Sequence, residues 1–201
     1  DGSTYKEVIS IPSKVTANLT LDNAAMKSSS SSSPITVFPG GKLNLTLKGN
    51  NTFSQGSSVD GKDCPAIRVP QGAALNITAA STGTMTASTR YGAAVIGGNI
   101  GYGTHNDFCG SITINGGTLN LTSKAGEALT SESGAAIGSA NGAGSFDSIE
   151  INGGTIHAKA DKGTAIGIGY YRYYEMYGSI SITGGTVITE TAWGYDGIGY
   201  Y

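Results

Sequence analysis

Short stretches in which apolar and polar residues alternate one by one recur along the whole chain. Ile112 and Ile114 flank one threonine, and Leu119 and Leu121 flank one asparagine. Alternation of this kind is typical of β-strands, whose successive side chains point to opposite faces of a sheet. No stretch shows the period of about 3.6 residues that an amphipathic helix would give. The pattern therefore predicts an all-β protein.

The predicted strands belong to a repeated unit. "GSITINGGTLNLT" begins at Gly110, "DSIEINGGTIHAK" at Asp147 and "GSISITGGTVITE" at Gly178. Each is followed by a glycine-rich signature, "GAAIG", "GTAIG" or "YDGIG". The period is about 30 residues, which is the range of stacked repeat proteins.

A diverged form of the unit fills the first half of the chain. "ITVFPGGKLNLTL" from Ile35 and "IRVPQGAALNITA" from Ile67 again place a glycine turn between two alternating stretches. We therefore predict one domain over residues 1–201, with diverged N-terminal coils in 1–92 and repeat coils with loop insertions in 93–201.

Such units cannot bury their apolar face alone and must stack on their neighbours. The sequence thus predicts a parallel β-helix of about six coils, and an antiparallel sandwich is the alternative. Asn44, Asn76 and Asn120 are expected to stack on the outside. The expected internal ladders are Ile35, Ile67, Ile112, Ile149 and Ile180 beside Leu43, Leu75, Leu119, Ile156 and Val187.

Charge and hydropathy exclude two kinds of partner. Charged residues make up 13% of the chain and the formal net charge is -2, so there is no basic surface to follow phosphates. No apolar run approaches the roughly 20 residues that span a bilayer. We expect neither nucleic-acid binding nor membrane insertion.

Cysteine and acidic residues leave two questions open. Cys64 and Cys109, the only cysteines, could pair or stay reduced, and they are too few for a structural zinc site. No cofactor is expected, although the acidic loop residues leave calcium open because it prefers carboxylate oxygens. No fixed ligand spacing links these residues, which are Asp60, Asp63, Asp107, Asp147, Asp161 and Asp196.

The succession of motifs resembles a known family. "SSSPITVFPGGKLNLTLKGNNTF", "PAIRVPQGAALNITAASTGTMTAS", "GAAVIGG" and the repeated "SITINGGT" with "GAAIG" are similar to the β-helical carbohydrate-binding domains of secreted and surface proteins from anaerobic, largely gut-associated bacteria. The resemblance covers nearly the whole chain. It implies a right-handed parallel β-helix, a location outside the cell or on the bacterial surface, attachment to polysaccharide and, in some members, calcium in the loops.

The repeat is interrupted by two insertions with unusual side chains. "GYYRYYEMYG" at 169–178 and the loop at 97–108 both follow an "IG" signature, so we expect them on one flank of the stack. Tyrosine offers a large rigid contact surface with a polar tip. The alternative is that these rings cover the open end of the solenoid. The predicted binding residues are Tyr170, Tyr171, Arg172, Tyr173, Tyr174, Glu175, Tyr177, Tyr102, His105 and Phe108.

We expect a non-catalytic binding or adhesion module, and the sequence leaves its ligand open. The resemblance favours extracellular polysaccharide, and the tyrosine segment favours a host protein such as an immunoglobulin or mucosal glycoprotein. The third hypothesis is that the protein is a polysaccharide lyase or hydrolase. Arg68 and Glu150 are the only charged residues on the "IRV" and "IEI" strands, where we expect them two coils apart with Thr113 between them, too far apart for paired acid–base work. No Ser/His/Asp arrangement stands out.

Overall fold

Nineteen short strands and no helix make up the described part of the computed structural model. The structure describes residues 9–28, 32–55, 64–100, 108–126, 132–170, 177–192 and 194–199. The strands follow one another in sets of three, and each set forms one coil of a solenoid.

The first three coils occupy the diverged half of the sequence. Coil 1 contains β1 (Ile9–Ile11), β2 (Thr16–Asp22) and β3 (Ala25–Ser28). Coil 2 contains β4 (Ile35–Val37), β5 (Lys42–Lys48) and β6 (Asn50–Gln55). Coil 3 contains β7 (Ile67–Arg68), β8 (Ala74–Ile77) and β9 (Thr84–Thr89).

The later coils carry the regular repeat. Coil 4 contains β10 (Ile96–Gly97), β11 (Cys109–Ile114) and β12 (Thr118–Ser123). Coil 5 contains β13 (Ile137–Gly138), β14 (Ser145–Ile151) and β15 (Thr155–Ala160). Coil 6 contains β16 (Ile166–Gly167), β17 (Tyr177–Ile182) and β18 (Thr186–Thr191), and β19 (Ile198–Gly199) begins a seventh turn.

Three parallel sheets run along this stack. The first strands of the coils form the seven-stranded sheet A, the second strands form the six-stranded sheet B and the third strands form the six-stranded sheet C. Each strand pairs with its counterpart in the coil before and after it, at the spacing of about 4.8 Å usual for β-strands. The predicted parallel β-helix of about six coils is confirmed.

Columns of aliphatic side chains fill the inside. On sheet A, one isoleucine from every coil occupies the same position, and those of coils 2 to 6 are fully buried. Burying such a side chain contributes about 1.5–3 kcal/mol. The column consists of Ile9, Ile35, Ile67, Ile96, Ile137, Ile166 and Ile198.

The predicted composition of the ladders is wrong in one respect. Ile35 pairs with Ile67 and Ile67 with Ile96 on sheet A, whereas Ile112 pairs with Leu75 on sheet B and Leu119 with Met85 on sheet C. The reason is that glycine pairs form two different corners. The pair at 40–41 joins sheet A to sheet B, and the pair at 116–117 joins sheet B to sheet C.

A polar residue replaces the aliphatic side chain at one inward position of sheet C. Asn51 is buried and pairs with Met85. Met85 in turn pairs with Leu119, and both belong to the buried column of sheet C. Its amide nitrogen donates to the carbonyl oxygens of Lys48 and Thr84 at 3.0 and 3.2 Å, and its Oδ1 accepts from the Ala24 N–H at 3.0 Å. Because these groups are satisfied, the asparagine is tolerated inside the coil.

A column of glycines explains the "AIG" signature. Gly97, Gly138, Gly167 and Gly199 follow the sheet A isoleucines in register and have φ between 117° and 135°. A Cβ at each of the first three would overlap the carbonyl oxygen of the next glycine in the column. Only residues without a side chain allow the coils to approach this closely at the corner.

An outer ladder of amide side chains also links the coils. Each Nδ2 donates to the Oδ1 of the preceding residue: Asn44 to Asn18 at 2.9 Å, Asn76 to Asn44 at 3.1 Å, Asn115 to Asn76 at 2.8 Å and Asn152 to Asn115 at 3.0 Å. The predicted outward stacking is therefore found for Asn44 and Asn76. Asn120 lies on sheet C, between Thr86 and His157, and is not part of this ladder.

Replacing Gly138 by alanine should lower the free energy of unfolding more than the same change at Gly199. Both positions carry the left-handed φ, which costs an L-residue about 1–2 kcal/mol. Only Gly138 adds a steric overlap, with Gly167, because nothing lies within 4 Å of a Cβ at Gly199. Overpacking of this kind costs about a further 1–3 kcal/mol. Urea unfolding of both variants measures the difference, and equal losses would contradict the close-approach argument.

Asn76→Ala should lower the free energy of unfolding by about 1–2 kcal/mol, because it removes two ladder hydrogen bonds worth about 1 kcal/mol each. Asn120→Ala is the matched control, since Asn120 makes no side-chain hydrogen bond to a described residue; its effect should stay within about 0.5 kcal/mol. Thermal unfolding followed by circular dichroism compares the two. If the asparagine ladder does not stabilise the fold, the two variants should have the same stability.

Candidate functional site

The described members of the predicted binding set lie at one corner of the solenoid. The segment 98–108 joins β10 to β11, and the segment 168–176 joins β16 to β17, so both run from sheet A to sheet B. Phe108, Tyr170 and Tyr177 are described and lie at this corner. The other predicted residues, Tyr102, His105, Tyr171, Arg172, Tyr173, Tyr174 and Glu175, lie outside the described residues.

Two exposed aromatic side chains occupy one column of this corner. Cys109 pairs with Phe146, so Phe108 is level with Ser145, and Tyr177 also pairs with Ser145. The exposed fractions are 40% for Phe108 and 59% for Tyr177. Two strand spacings put these positions roughly 10 Å apart, with the small Ser145 between them.

Backbone hydrogen bonds hold each of these residues to a neighbouring coil. The Gln71 N–H donates to the Phe108 carbonyl oxygen at 2.7 Å, and the Gly142 N–H donates to the Tyr170 carbonyl oxygen at 2.8 Å. The Tyr177 N–H donates to Ser145 Oγ at 3.3 Å. The stacked coils therefore position the main chain that carries the aromatic rings.

Tyr170 has a further aromatic contact. Its ring meets that of Tyr195 edge to face, with centroids 6.0 Å apart and an interplanar angle of 76°. Edge-to-face pairs of this kind contribute about 0.5–1.5 kcal/mol beyond their buried area. Tyr195 lies between β18 and β19, so the contact joins the insertion of coil 6 to the start of the seventh turn.

Sequence reasoning missed one member of the corner. Phe38 follows β4 directly, crosses from sheet A to sheet B in coil 2 and is as exposed as Phe108. The signal that could have found it is its position after a sheet A strand. The two insertions also follow a sheet A strand, but this was not recognised because the sequence analysis assigned the ladders of the two halves to the wrong sheets. We call Phe38, Phe108, Tyr170 and Tyr177 the aromatic corner.

The alternative role for the aromatic insertion is a lid over the last coil. Ile182 and Ile198 remain 43% and 41% exposed, whereas their counterparts in the preceding coil, Ile151 and Ile166, are fully buried. A lid should cover the inward side chains of the last coil. The segment 171–176 lies outside the described residues, so the lid and the binding site both stay predictions.

A shallow groove of about 130 Å³ crosses the outer face of sheet C. Lys159 and Glu190 form an ion pair there, with Nζ and Oε2 3.3 Å apart. The Lys159 side chain is 50% exposed and the Glu190 side chain is 66% exposed. Such a pair contributes little to stability. The groove is also lined by Asn120, Thr122, His157 and Ile188.

The two charged strand residues considered for catalysis lie on different sheets. Arg68 pairs with Thr36 on sheet A, whereas Glu150 pairs with Thr113 on sheet B. The expected alignment of Arg68 and Glu150 across Thr113 is therefore wrong. The error has the same cause as the misassigned ladders: the glycine pair before sheet B and the glycine pair before sheet C look alike in the sequence.

No disulfide joins Cys64 and Cys109. Cys109 is fully buried in the core, and burial raises the pKa of its thiol far above the usual range, with the negative charge of Asp147 acting in the same direction. A hydrogen bond with the Gly98 backbone opposes both effects. Asp147 itself is held in place, because its Oδ2 accepts from the Gly72 N–H at 2.9 Å.

The described residues also bear on metal binding and membrane insertion. In the part of the chain that the structure describes, no group of three His, Cys, Asp or Glu side chains could hold a metal ion. Asp147, Asp161 and Asp196 are the described members of the acidic loop set. Within the same described ranges, no helix has the length and apolar character needed to cross a bilayer.

The geometry defines the class of the protein as an all-β parallel β-helix with an aromatic corner. Comparisons with known protein families, with characterised proteins and with solved structures found no match. The argument for function therefore depends on the residues of the chain itself.

Stability should fall as the pH rises above about 8.5, the ordinary pKa of a cysteine thiol, because the unfolded Cys109 then loses its proton and the folded one keeps it. The folded state binds more protons in this range, which sets the sign of the slope. Cys109→Ala should flatten the decline. Urea unfolding between pH 7 and pH 10 measures the slopes, and identical slopes in the wild type and Cys109→Ala would contradict the assignment.

Proposed function

We propose that the protein is a non-catalytic extracellular binding module that holds polysaccharide at its aromatic corner. The observation that carries the proposal is the column of Phe108 and Tyr177, two exposed rings on either side of Ser145. Sugar rings present apolar C–H faces, which pack well against aromatic rings. Tyrosine adds a hydroxyl that reaches sugar hydroxyls.

The spacing of the two rings suits an extended chain of sugars. Positions roughly 10 Å apart, set by two strand spacings, correspond to about two hexose units along a polysaccharide. A ligand lying parallel to the solenoid axis would contact both rings. Ser145, the residue between them, is small and buried, and its Oγ accepts from the Tyr177 N–H.

The scaffold supports binding without rearrangement. Phe108, Tyr170 and Tyr177 are each held by a main-chain hydrogen bond to another coil. Binding side chains carried on a rigid scaffold lose little conformational entropy when a ligand arrives. Affinity can therefore arise from few contacts.

The non-catalytic reading is supported by the separation of the candidate charges. Glycosidic cleavage by paired carboxyl groups needs them about 5–9.5 Å apart on either side of the bond. Neither candidate pair supplies two carboxyl groups: Arg68 and Glu150 lie on different sheets, and Lys159 and Glu190 on sheet C form an ion pair.

Replacing Phe108 and Tyr177 together by alanine should weaken polysaccharide binding at least a hundredfold, because exposed aromatic anchors contribute about 2 kcal/mol or more each. Both side chains are largely exposed, so the melting temperature should change little. A glycan array selects the ligand, and titration calorimetry measures the affinity of the wild type and the variant.

Ile188→Ala is the matched control, because Ile188 is similarly exposed but lines the groove on sheet C. Loss of binding in this variant alone would move the site to sheet C. Capture of a host glycoprotein that survives its deglycosylation would replace polysaccharide by protein as the ligand. New reducing ends released from a bound polysaccharide would overturn the non-catalytic reading.

A further inference from the structure

A carboxylate lies beside the two exposed rings of the aromatic corner. Asp147 follows Ser145 by two residues on β14, which places it roughly 7 Å along the strand from the column of Phe108 and Tyr177. The pairing of β11 with β14 puts Asp147 level with Gly110, and its side chain is exposed. Asp147 belongs to coil 5, so its height on the stack lies between those of the two rings.

The same turn of coil 3 holds this carboxylate and the main chain of Phe108. The Gln71 N–H donates to the Phe108 carbonyl oxygen at 2.7 Å, and the adjacent Gly72 N–H donates to Asp147 Oδ2 at 2.9 Å. Asp147 reaches this donor across coil 4, where Gly110 presents no side chain. Two consecutive donors of one turn therefore fix the carboxylate next to the residue that carries the Phe108 ring.

The carboxylate of Asp147 can accept further hydrogen bonds from a ligand. An ionised carboxylate accepts several hydrogen bonds through its two oxygens, and the Gly72 N–H takes up one of them. The rest of this capacity is open to solvent, because the side chain is exposed. A sugar hydroxyl donates to a carboxylate in a strong, charge-assisted hydrogen bond, whereas a second carboxylate is repelled. The chemistry of Asp147 therefore favours neutral sugars over acidic ones.

The charge around the corner has the same sign as Asp147. In 108–114, 139–151 and 177–182, the described stretches that carry sheet B and its corner in coils 4 to 6, Asp147 and Glu150 are the only charged side chains. By sequence, the two insertions add one arginine and one histidine against two acidic residues, which are Arg172, His105, Asp107 and Glu175. The corner thus has no net positive charge to attract an anionic chain.

We propose that Asp147 makes the aromatic corner selective for neutral polysaccharide, by accepting a hydrogen bond from a sugar hydroxyl beside Phe108 and by repelling carboxylate and sulfate groups. The inference rests on the proposed function, because it concerns the sugar bound at that same corner. Phe108 and Tyr177 supply the contact area, and Asp147 supplies the selectivity. Glu150 contributes less, because it lies roughly 16 Å along the strand from the ring column, about two screening lengths at physiological salt.

Titration calorimetry with matched hexamers tests the proposal. Cellohexaose and mannohexaose are the neutral probes, and each is compared with the same chain in which the primary alcohol groups are oxidised to carboxylates. At least one neutral hexamer should bind, and its acidic form should bind about tenfold more weakly. Added salt should narrow this difference, because salt screens the repulsion between the ligand carboxylates and Asp147.

Two variants separate the role of Asp147 from a general charge effect. Asp147→Asn removes the charge and keeps an amide oxygen that can accept from the Gly72 N–H, so the fold should be retained. The ratio of neutral to acidic affinity should fall about fivefold in this variant. Glu150→Gln is the matched control, because it removes the same charge from the same strand, and it should change the ratio by less than about twofold.

Several results would overturn the inference. They are an acidic hexamer that binds the wild type as tightly as its neutral form, an unchanged ratio in Asp147→Asn, and an equal change of the ratio in Glu150→Gln. An equal loss of both forms in Asp147→Asn would assign Asp147 a purely structural role and would also contradict selectivity. Equal binding of both forms that disappears in the Phe108 and Tyr177 double variant would remove the selectivity and leave polysaccharide binding in place. Binding of no hexamer by the wild type would count against the proposed function itself, and this inference would fail with it.

Discussion

The in-register pairing of successive coils is the interaction on which the rest of the structure depends, and the later coils approach most closely at the glycine column. Gly97, Gly138 and Gly167 each lie so near the next glycine's carbonyl oxygen that no side chain fits. A Cβ at these three positions would force the coils apart or out of register, whereas coils 1 to 3 accommodate Ser10, Thr36 and Arg68 at the paired positions. Since parallel strands pair residue by residue, the register places every position of a coil above its counterpart. The isoleucine column of sheet A is the immediate result.

The same register serves polar and apolar residues in different ways. Inside, identical aliphatic side chains repeat at the strand spacing and exclude water. Outside, a repeated asparagine can both donate and accept, so Asn44, Asn76 and Asn115 satisfy one another along the stack. Where an asparagine enters the interior, as Asn51 does, main-chain groups have to satisfy it instead. Register thus decides whether one residue type stabilises the fold or has to be accommodated.

The sequence alone could predict the strands and the stacking, because the alternation is strict and the repeats are similar. It could not assign the ladders correctly, since glycine pairs of similar appearance form the corner before sheet B in coil 2 and the corner before sheet C in coil 4. The side-chain column at Phe108 and Tyr177 was predictable as one flank, because both insertions follow an "IG" signature. The cleft on sheet A, lined by Ser10, Thr36, Arg68 and Asn99, was not predictable, because these residues lie far apart in sequence and meet only through the stack.

The aromatic corner depends on the stacked coils, but the coils do not depend on the aromatic corner. The aromatic residues need the coils, because Phe108 and Tyr170 are positioned by main-chain hydrogen bonds to other coils. The coils do not need the rings, since Phe108 and Tyr177 are exposed and are not among the residues of the hydrophobic core. A corner of this kind can exchange its side chains, and so its ligand, at little cost to the free energy of unfolding. The cleft on sheet A differs, because Thr36 and Arg68 lie in paired strands, so its chemistry is tied to the register that holds the protein together.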